Sequence, residues 1–331
     1  MNKVILLANR PVGLTTLSDF KFIEEEEPTI NEGEILLKTL YVSVDPYLRG
    51  RMSDAKSYVS PFQLNQPIQS GIIAEVIESK NADFKVGEHI SAMLDWKEYQ
   101  VSNGIGLIKV DAKAANLSAY LGVLGMTGLT AYLGLTNIGK PKEGETLVVS
   151  GAAGAVGSIV GQIGKILGCK VIGIAGSDEK VALLKSKFGF DEGINYNTTA
   201  DMKTALNNAA PNGVDIYFDN VGGQISDAVL ANINKFARVP VCGAISLYNE
   251  TEIPMGPRIQ PILVRNSVLM QGFIVSNYVD QFPAAIQKLA GWLREGKLTY
   301  AETIVEGFDQ IPQAFLDLFK GKNQGKMIVK I

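Results

Sequence analysis

The chain has almost none of the residues that hold transition metals or form disulfides. Its 331 residues include one histidine, His89, and two cysteines, Cys169 and Cys242. Neither cysteine lies in a Cys-x-x-Cys pair, so the usual tetrahedral zinc site of histidine and cysteine ligands cannot be assembled. The same scarcity argues against a disulfide framework and makes a reducing cytoplasm the expected location. We therefore expect no metal, and we interpret His89 as a partly exposed strand residue.

An excess of positive charge and long apolar runs are also missing. The net charge is −3, and 20% of the residues are charged, so nothing favours nucleic acid or an anionic membrane surface as a partner. Polar residues interrupt every apolar run well before the roughly 18 residues that a membrane helix needs. The apolar run within residues 1–8 is too short for a secretory signal. The composition is that of an ordinary globular protein without a membrane span.

The most informative segment joins a strand, three glycines and a helix. Residues 146–157 read TLVVSGAAGAVG, which is a β-branched strand followed by a Gly-x-x-Gly-x-x-Gly turn. Apolar residues at helical spacing follow from Ile159 onward. Because glycines carry no Cβ, the amides of such a turn and the helix N-terminus can approach a pyrophosphate closely. The spacing differs from the commoner Gly-x-Gly-x-x-Gly, and a turn that serves only packing is the alternative, but we favour a bound dinucleotide.

The periodicity of apolar residues changes near Met126. Before it, short strands separated by turns predict a mostly β domain. After it, strands alternate with helices, which calls for a parallel sheet covered on both faces. The chain becomes mixed again after Leu298. We therefore predict an α/β fold in which a dinucleotide-binding domain, residues 126–296, is inserted into a β-rich catalytic domain formed by residues 1–125 and 297–331.

Individual elements follow from the same patterns. Strands are predicted at Lys3–Ala8, Glu34–Val44, Ile72–Ser79, His89–Leu94, Leu147–Ser150, Lys170–Ala175, Gly193–Tyr196, Val214–Asp219, Val239–Gly243, Val268–Val275 and Met327–Ile331. Helices are predicted at Asp178–Phe188, Gln224–Asn234 and Asp280–Arg294. Residues 249–266 contain several prolines and glycines and are predicted to be irregular, either over a pocket mouth or as a plain surface connection.

The choice of nucleotide depends on the end of the second strand of the inserted domain. NAD-binding proteins of this kind place an acidic residue there for the ribose hydroxyls, whereas this strand ends in Gly176 and Ser177. The acids that follow, Asp178 and Glu179, begin a helix, where they act as dipole partners. Lys180 is the first cation beyond, and an ammonium attracts a 2′-phosphate. We favour NADPH over NADH, with a solvated surface charge as the alternative for Lys180.

Eight segments together resemble a known family. They read SVDPYLRGRM at 43–52, GMTGLTAY at 125–132, SGAAGAVG at 150–157, GSDEK at 176–180, FDNVGG at 218–223, CGAISLYN at 242–249, GFIV at 272–275 and NQGK at 323–326. By these segments the chain resembles the zinc-independent medium-chain dehydrogenase/reductases, specifically the prostaglandin reductase and 2-alkenal double-bond reductase subgroup. The resemblance covers nearly the whole length. It implies a Rossmann-type doubly wound parallel sheet inserted in a mostly β, GroES-like catalytic domain.

The resemblance also implies a set of NADPH contacts. By position these are Ala152, Ala153, Gly154, Ala155, Val156 and Gly157 at the pyrophosphate; Lys180 and Tyr196 at the 2′-phosphate; Asn220 near the adenosine ribose; Cys242, Gly243, Ala244, Ile245, Ser246 and Tyr248 along the nicotinamide half; and Phe273, Ile274, Val275 and Asn323 over the nicotinamide. Two alternatives stay open at this stage. Residues 273–275 are also suited to a buried strand without any ligand, and Tyr196 is also suited to an amphipathic rim.

The implied reaction is reduction of the carbon–carbon double bond of an α,β-unsaturated ketone or aldehyde. Hydride reaches the β-carbon, charge moves to the carbonyl oxygen as an enolate, and a proton is added at the α-carbon. Tyr248 matches the family's active-site tyrosine, and a phenol with a pKa of about 10 remains a donor at neutral pH. Packing against the nicotinamide is the alternative role for Tyr248. Tyr47 is expected to line the substrate cavity.

Partners and competing functions follow from the same resemblance. The apolar strand predicted at Val268–Val275 lies at a sheet edge, and such edges tend to be covered, so we expect a homodimer. A quinone reductase of the same superfamily is the second enzymatic interpretation. A non-catalytic NADPH-binding protein is the alternative of another class. Retention of Tyr248 and Asn323 favours catalysis, and the segments Cys242–Tyr248 and Asp45–Arg49 argue against a quinone reductase without excluding it.

Overall fold

The structure is a computed structural model that describes residues 1–331. The chain divides into two compact units. The first unit comprises Met1–Leu121, Glu302–Asn323 and Met327–Ile331, and the second comprises Gly122–Ala301 and Gln324–Lys326. The α/β fold class is confirmed, while the sequence-based domain boundaries stay a prediction.

The elements have the following bounds. The strands are β1 (Asn2–Leu7), β2 (Phe20–Glu25), β3 (Ile35–Ser43), β4 (Gln69–Ser79), β5 (His89–Asp95), β6 (Tyr99–Ser102), β7 (Ile108–Val110), β8 (Thr146–Ser150), β9 (Lys170–Ala175), β10 (Glu192–Asn195), β11 (Val214–Phe218), β12 (Ile233–Val241), β13 (Leu269–Gly272), β14 (Glu302–Glu306) and β15 (Lys326–Lys330). The α-helices are α1 (Leu48–Arg51), α2 (Met126–Gly134), α3 (Gly157–Ile166), α4 (Asp178–Ser186), α5 (Met202–Ala209), α6 (Gly223–Leu230), α7 (Gln260–Asn266), α8 (Phe282–Arg294) and α9 (Ile311–Phe319). There is also a short π-helix (Leu135–Gly139), and there are five 3₁₀ helices (Leu17–Asp19, Leu117–Leu121, Ile245–Leu247, Val275–Gln281 and Phe308–Gln310).

The first unit is built on antiparallel strand pairing. One sheet has the order β14-β15-β3-β4-β5-β7, with β6 paired to β3, and β1 pairs with β2 separately. In β3 the buried Ile35 and Leu37 alternate with less buried neighbours, which is the pattern of a strand with one face on a core. Trp96 and Phe315 are fully buried in that core, and the Trp96 indole donates to the Ser70 hydroxyl at 2.8 Å.

The second unit contains a six-stranded sheet in the order β10-β9-β8-β11-β12-β13, with every neighbouring pair parallel. All five residues of β8 are buried, as expected for a central strand covered by helices on both faces. The order runs outward from β8 in both directions, and this doubly wound topology creates a switch point at the carboxyl ends of β8 and β11. Ligands of such sheets bind outside that edge.

Four details of the sequence-based elements are wrong. The helix predicted at Gln224–Asn234 ends at Leu230, because β12 begins at Ile233 and pairs with Val214 of β11. The same strand therefore begins earlier and ends earlier than the predicted Val239–Gly243. The strand predicted at Val268–Val275 is only β13, since its pairing with β12 ends at Gly272. Part of the segment predicted to be irregular is helix α7, whose proline lies in the first turn, where no intrahelical donor is required.

Candidate active site

The glycine turn lies at the carboxyl end of β8, as the sequence predicts. Gly151 has a φ of +59°, which favours glycine, and its carbonyl accepts the Gly154 amide at 3.0 Å. A Cβ at Gly157 would collide with the backbone of Gly151 and Ala152. Residues 152–156 form the remainder of the turn, and α3 begins at Gly157. The turn leads directly into the N-terminus of α3, a helix of ten residues. Backbone amides in this arrangement fit the pyrophosphate of a dinucleotide.

The end of the chain returns to this turn. The Gly325 amide donates to the Ala153 carbonyl at 2.7 Å, and Gly325 forms a parallel bridge with Gly154. Gly325 has a φ of +68°, and a Cβ there would collide with the backbone of Ala301. Asn323 directly precedes the segment that makes these contacts. The sequence marks the 323–326 motif but not its pairing, because no local pattern predicts a contact across about 170 residues.

Lys180 and Tyr196, the two residues expected at the 2′-phosphate, lie beside the Gly176–Ser177 turn that follows β9. The Ser177 hydroxyl caps α4 by accepting the Lys180 amide at 3.3 Å. A Cβ on Gly176 would lie only 2.7 Å from the Tyr196 hydroxyl, so the phenol lies against the glycine backbone. Lys180 is half-buried, and burial lowers the pKa of its ammonium. Asp178, at the start of α4, accepts a hydrogen bond from the side-chain amide of Asn195 at 2.7 Å.

A buried carboxylate organises the other side of the switch point. Oδ1 of Asp219 accepts hydrogen bonds from the hydroxyls of Ser150 (3.0 Å) and Tyr217 (2.8 Å) and from the amides of Val221 (3.0 Å) and Gly222 (2.9 Å). These bonds tie the ends of β8 and β11 together. Asp219 and Ser150 were not singled out from the sequence, although a serine and an aspartate at the ends of two apolar strands were the available signal.

Asn220 is held by its neighbours at the same edge. Its side-chain amide donates to the Ser150 carbonyl at 2.7 Å, and its backbone amide donates to the Ser150 hydroxyl at 2.9 Å. The structure therefore places Asn220 beside the glycine turn, where the NH2 group of its side chain already donates one hydrogen bond to the protein. Its proposed ribose contact stays a prediction.

The segment 242–248 follows β12 at this edge. The amides of Cys242 and Gly243 donate to the Asp219 carbonyl at 2.8 and 3.2 Å. The Ser246 hydroxyl donates to the Val221 carbonyl at 2.6 Å. The Tyr248 hydroxyl accepts the Ala244 amide at 3.3 Å. The segment thus curls back on itself and holds a phenol over its own backbone.

The thiol of Cys242 has low reactivity in this setting. Burial, with Asp219 nearby, raises the pKa of the Cys242 thiol to about 12. A thiol with that pKa carries almost no thiolate at neutral pH. Cys242 therefore contributes its packing and its backbone amide to the site and does not act as a nucleophile.

Phe273 is directed into the core of the second unit. Its ring lies edge-on to Phe218 with centroids 6.1 Å apart, and it occupies the space where Gly134 lacks a Cβ. Ile274 and Val275 are half-buried. Because the Phe273 side chain is packed away, only the backbone of this residue is available to a ligand at this edge.

A buried hydroxyl at the start of α2 has no partner within the protein. Thr127 is 4% exposed, and its Oγ1 makes no hydrogen bond. An orphaned buried hydroxyl is unusual and fits a site completed by a bound molecule. Thr127 lies within the GMTGLTAY segment, whose local pattern gives no signal of this unpaired hydroxyl.

Tyr47 belongs to the first unit, on the turn that begins α1. It is half-buried, and burial, together with the charge of Asp45, raises the pKa of its phenol. Two residues later, the buried guanidinium of Arg49 donates to the carbonyls of Pro11 and Gly13 at 3.1 and 2.9 Å. Tyr47 therefore sits on a rigid turn and remains protonated at neutral pH.

Two further findings concern metals and membranes. No group of three or more His, Cys, Asp or Glu side chains is arranged to hold a metal ion. His89 opens β5 and is half-buried. None of the helices combines the length and the apolar character that crossing a membrane requires.

Comparison with known proteins agrees with this architecture. Residues 3–110 match the family described as "N-terminal domain of oxidoreductase", and residues 155–291 match the family described as "zinc-binding dehydrogenase". Among curated relatives, the provisionally named NADP-dependent oxidoreductase YfmJ of Bacillus subtilis (strain 168) is 58% identical over 99% of this chain and 97% of its own length. The NADPH-dependent curcumin reductase of Escherichia coli (strain K12) is 42% identical, covering 100% of this chain and 97% of that protein.

A plant enzyme and a crystal structure extend the comparison. The NADP(+)-dependent 2-alkenal reductase of Nicotiana tabacum is 41% identical over 100% of this chain and 97% of that protein. The crystal structure of CurA from Vibrio vulnificus in complex with NADPH has a TM-score of 0.95 and 46% identity, covering 99% of this chain and 98% of that chain. With these relatives matching over almost its full length, the chain belongs to the medium-chain dehydrogenase/reductase superfamily, within its enone reductase subgroup.

Proposed function

We propose that this protein uses NADPH to reduce the carbon–carbon double bond of α,β-unsaturated ketones or aldehydes. The observation that carries the proposal is the Tyr248 hydroxyl, held over its own segment by the Ala244 amide beside the carboxyl ends of β8, β11 and β12. The relatives named for curcumin and 2-alkenal reduction support the same substrate class.

The residues at this edge fit NADPH. The turn at 151–157 suits the pyrophosphate, and Lys180 with Tyr196 suits the 2′-phosphate. Asn220, the 242–248 segment, residues 273–275 and Asn323 are the proposed contacts for the riboses and the nicotinamide. When bound, NADPH supplies the hydride that reduces the β-carbon of the substrate. The orphaned Thr127 hydroxyl is a further candidate contact, because a bound amide or hydroxyl would satisfy it.

Tyr248 stabilises the charge that reduction places on the substrate. As the β-carbon is reduced, negative charge collects on the carbonyl oxygen, and a donor aimed at that oxygen lowers the barrier. Because the Tyr248 oxygen accepts the Ala244 amide, the phenol is oriented by the backbone and polarised toward donation. The enolate then takes up a proton at its α-carbon.

The test is a substrate panel with the purified full-length protein. NADPH oxidation is followed with an enone, a 2-alkenal, the corresponding saturated ketone and a quinone, with NADH as the cofactor control. We expect turnover of the enone and the alkenal only, with the saturated carbonyl compound as product by mass spectrometry. Turnover of the quinone alone would replace the proposal with quinone reduction. NADPH binding without turnover of any compound would identify a non-catalytic binding protein.

A further inference from the structure

A buried side-chain amide on α3 binds the backbone of a segment far along the chain. Gln162 is 5% exposed and lies among residues 157–164, all of which are buried. Its Oε1 accepts the Thr299 amide at 2.8 Å, and its Nε2 donates to the Thr299 carbonyl at 2.9 Å. Nε2 also donates to the Ser158 carbonyl at 2.9 Å. Both N–H groups and the oxygen of this side chain are therefore used within the protein.

The segment that Gln162 binds has no strand partner of its own. Residues 295–301 connect α8 to β14 and belong to no helix or strand. Neighbouring antiparallel strands exchange an N–H and a carbonyl in the same way as Gln162 and Thr299 do, so the side chain takes the place of a sheet partner. Two residues later, the Ala301 carbonyl accepts the Lys326 amide at 2.9 Å. The connection is thus held between α3 and a segment near the end of the chain.

That final segment links the connection to the glycine turn. A Cβ at Gly325 would lie 1.9 Å from the Ala301 carbonyl oxygen, so the two backbones are in contact. The Gly325 amide donates to the Ala153 carbonyl at 2.7 Å, which fixes the peptide plane between Ala153 and Gly154. The amide of that plane closes the turn onto the Gly151 carbonyl at 3.0 Å. A continuous series of contacts therefore runs from α3 to the turn, entirely within the second unit.

The turn reached by these contacts contains backbone donors that the protein does not use. The amides of Ala153, Ala155 and Val156 make no hydrogen bond within the protein. Ala153 is 3% exposed, and a buried amide without an acceptor is rare. Such donors suit the oxygens of a pyrophosphate. Their directions depend on the peptide planes of the turn, one of which the Gly325 amide fixes.

We propose that Gln162 is a positioning residue for the nucleotide pyrophosphate, acting through the backbone of residues 299–301 and 324–326. The inference rests on one part of the proposed function, the placement of the pyrophosphate at the glycine turn. Gln162 is not itself a ligand contact; it holds the turn in its binding conformation before the nucleotide arrives. Where this preorganisation is lost, the apparent dissociation constant rises in inverse proportion to the binding-competent fraction of the protein.

The first experiment measures nucleotide affinity by calorimetry with the full-length protein. Gln162→Met keeps the length of the side chain and removes its hydrogen bonds to Thr299. We expect the variant to bind NADP⁺ about tenfold more weakly, because two hydrogen bonds of ordinary strength are lost. Adenosine 2′-monophosphate, which carries no pyrophosphate, should bind as it does to the wild type. Gln281→Met is the matched control, since it removes a 3.1 Å hydrogen bond from Asn137 elsewhere in the second unit and should change neither constant.

Gln162→Glu tests the hydrogen bonds with almost no change in shape. A protonated carboxyl group has one donor and can still accept, so it can form both bonds to Thr299, whereas a carboxylate has no donor. Burial raises the pKa of such a carboxyl group. The NADP⁺ affinity of this variant relative to the wild type should therefore recover in mildly acidic solution and fall as the carboxyl group ionises. The relative affinity of Gln162→Met should not depend on pH.

The outcomes separate a positioning role from a purely structural one. Weakened binding of NADP⁺ alone, with recovery of Gln162→Glu in acid, would uphold the inference. Equal weakening of both ligands, or a lower free energy of unfolding with unchanged NADP⁺ affinity, would overturn it. The selective loss in a protein whose wild type turns over no enone would uphold the positioning role and refute the proposed reaction.

Discussion

Asp219 is the residue whose side chain has the widest influence on the site. Four donors converge on one oxygen of its carboxylate, and its backbone carbonyl accepts two amides of the 242–248 segment. An ionised carboxylate offers only acceptors, so it can satisfy all of these donors together. The side-chain amide of an asparagine at this position would also carry an NH2 group, which cannot accept from them. The position of Tyr248 therefore depends on a residue that is not itself a candidate for the chemistry.

Lys180 provides the first prediction at this scale. Lys180→Ala should weaken NADPH binding about tenfold or more, since a charge-assisted hydrogen bond contributes about 1.5–3 kcal/mol. Affinity for NADH should not change, because NADH lacks the 2′-phosphate. Dissociation constants for both nucleotides by fluorescence titration provide the measurement. An unchanged NADPH constant would remove Lys180 from the site.

Tyr248 provides the second prediction at the residue scale. Tyr248→Phe keeps the ring and removes the hydroxyl, so kcat for an enone should fall by about 10²–10³ while NADPH binding is retained. A cofactor ribose hydroxyl that shares the role would reduce this loss. Stopped-flow measurement of the hydride-transfer step is the appropriate readout. Full turnover with unchanged substrate affinity would leave Tyr248 as a packing residue.

Individual site residues differ in how far the sequence could predict them. The glycines of the turn and Lys180 follow from local patterns, because their role depends on neighbours within a few residues. Asp219, Gly325 and Thr127 could not be predicted in this way. Asp219 and Gly325 act through partners far along the chain, which only the fold brings close, and Thr127 is notable only because the fold buries its hydroxyl without a partner.

At the scale of elements, the junction of β8 and α3 leaves no space for a side chain at Gly157. Gly157→Ala should destabilise the protein by about 1–3 kcal/mol, because the new methyl group meets the backbone of Gly151 and Ala152, which cannot move without displacing the turn. Chemical denaturation without cofactor measures this change. Gly291→Ala, in the interior of α8 with open space around it, is the control and should stabilise slightly. Equal stability of Gly157→Ala and the wild type would contradict a tight turn.

The ion pair between Glu145, just before β8, and Arg238 of β12 predicts a pH effect. Burial alone would raise the pKa of Glu145, but hydrogen bonds from Arg238 and from the Lys142 amide outweigh it and hold that pKa below its ordinary value. The stabilisation is therefore present above the unfolded pKa of glutamate and is lost as pH falls through the folded pKa. Glu145→Gln should destabilise by about 1.5–3 kcal/mol at neutral pH and by much less in acid.

Denaturation curves at several pH values test this dependence. Glu192→Gln, which breaks the exposed pair with Lys185, should have little effect at any pH. A loss that is the same at all pH values would show that Glu145 stabilises through packing alone.

Elements were predicted well where their residues bury a periodic face, as in β8, β9 and α8. They were predicted poorly where strand pairing decides the boundary. Residues 231–234 have no local signal against a helix, yet the pairing of Ile233 with Val214 makes them the start of β12. In the same way β13 ends where its partner strand ends, and Phe273 leaves the sheet to pack against Phe218.

At the scale of the whole molecule, the exposed edge strand of the parallel sheet leads us to predict a homodimer. The edge strand β13 exposes Leu269, and Val264 of the preceding helix is 79% exposed. Because exposed apolar edges favour pairing, we expect a homodimer in sedimentation velocity. The double substitution Val264→Lys and Leu269→Lys should shift the protein to a monomer. Ile105→Lys, at an equally exposed apolar residue of the first unit, should leave the dimer intact. A wild-type monomer at micromolar concentration would refute the expectation.

The bond between Gly325 and Ala153 has a consequence for folding. It joins residues of the second unit that lie about 170 positions apart, and all six strands of the parallel sheet precede Gly325 in the chain. Because closing so long a loop costs more entropy than forming a local turn, we expect this contact to form late, after the sheet has assembled.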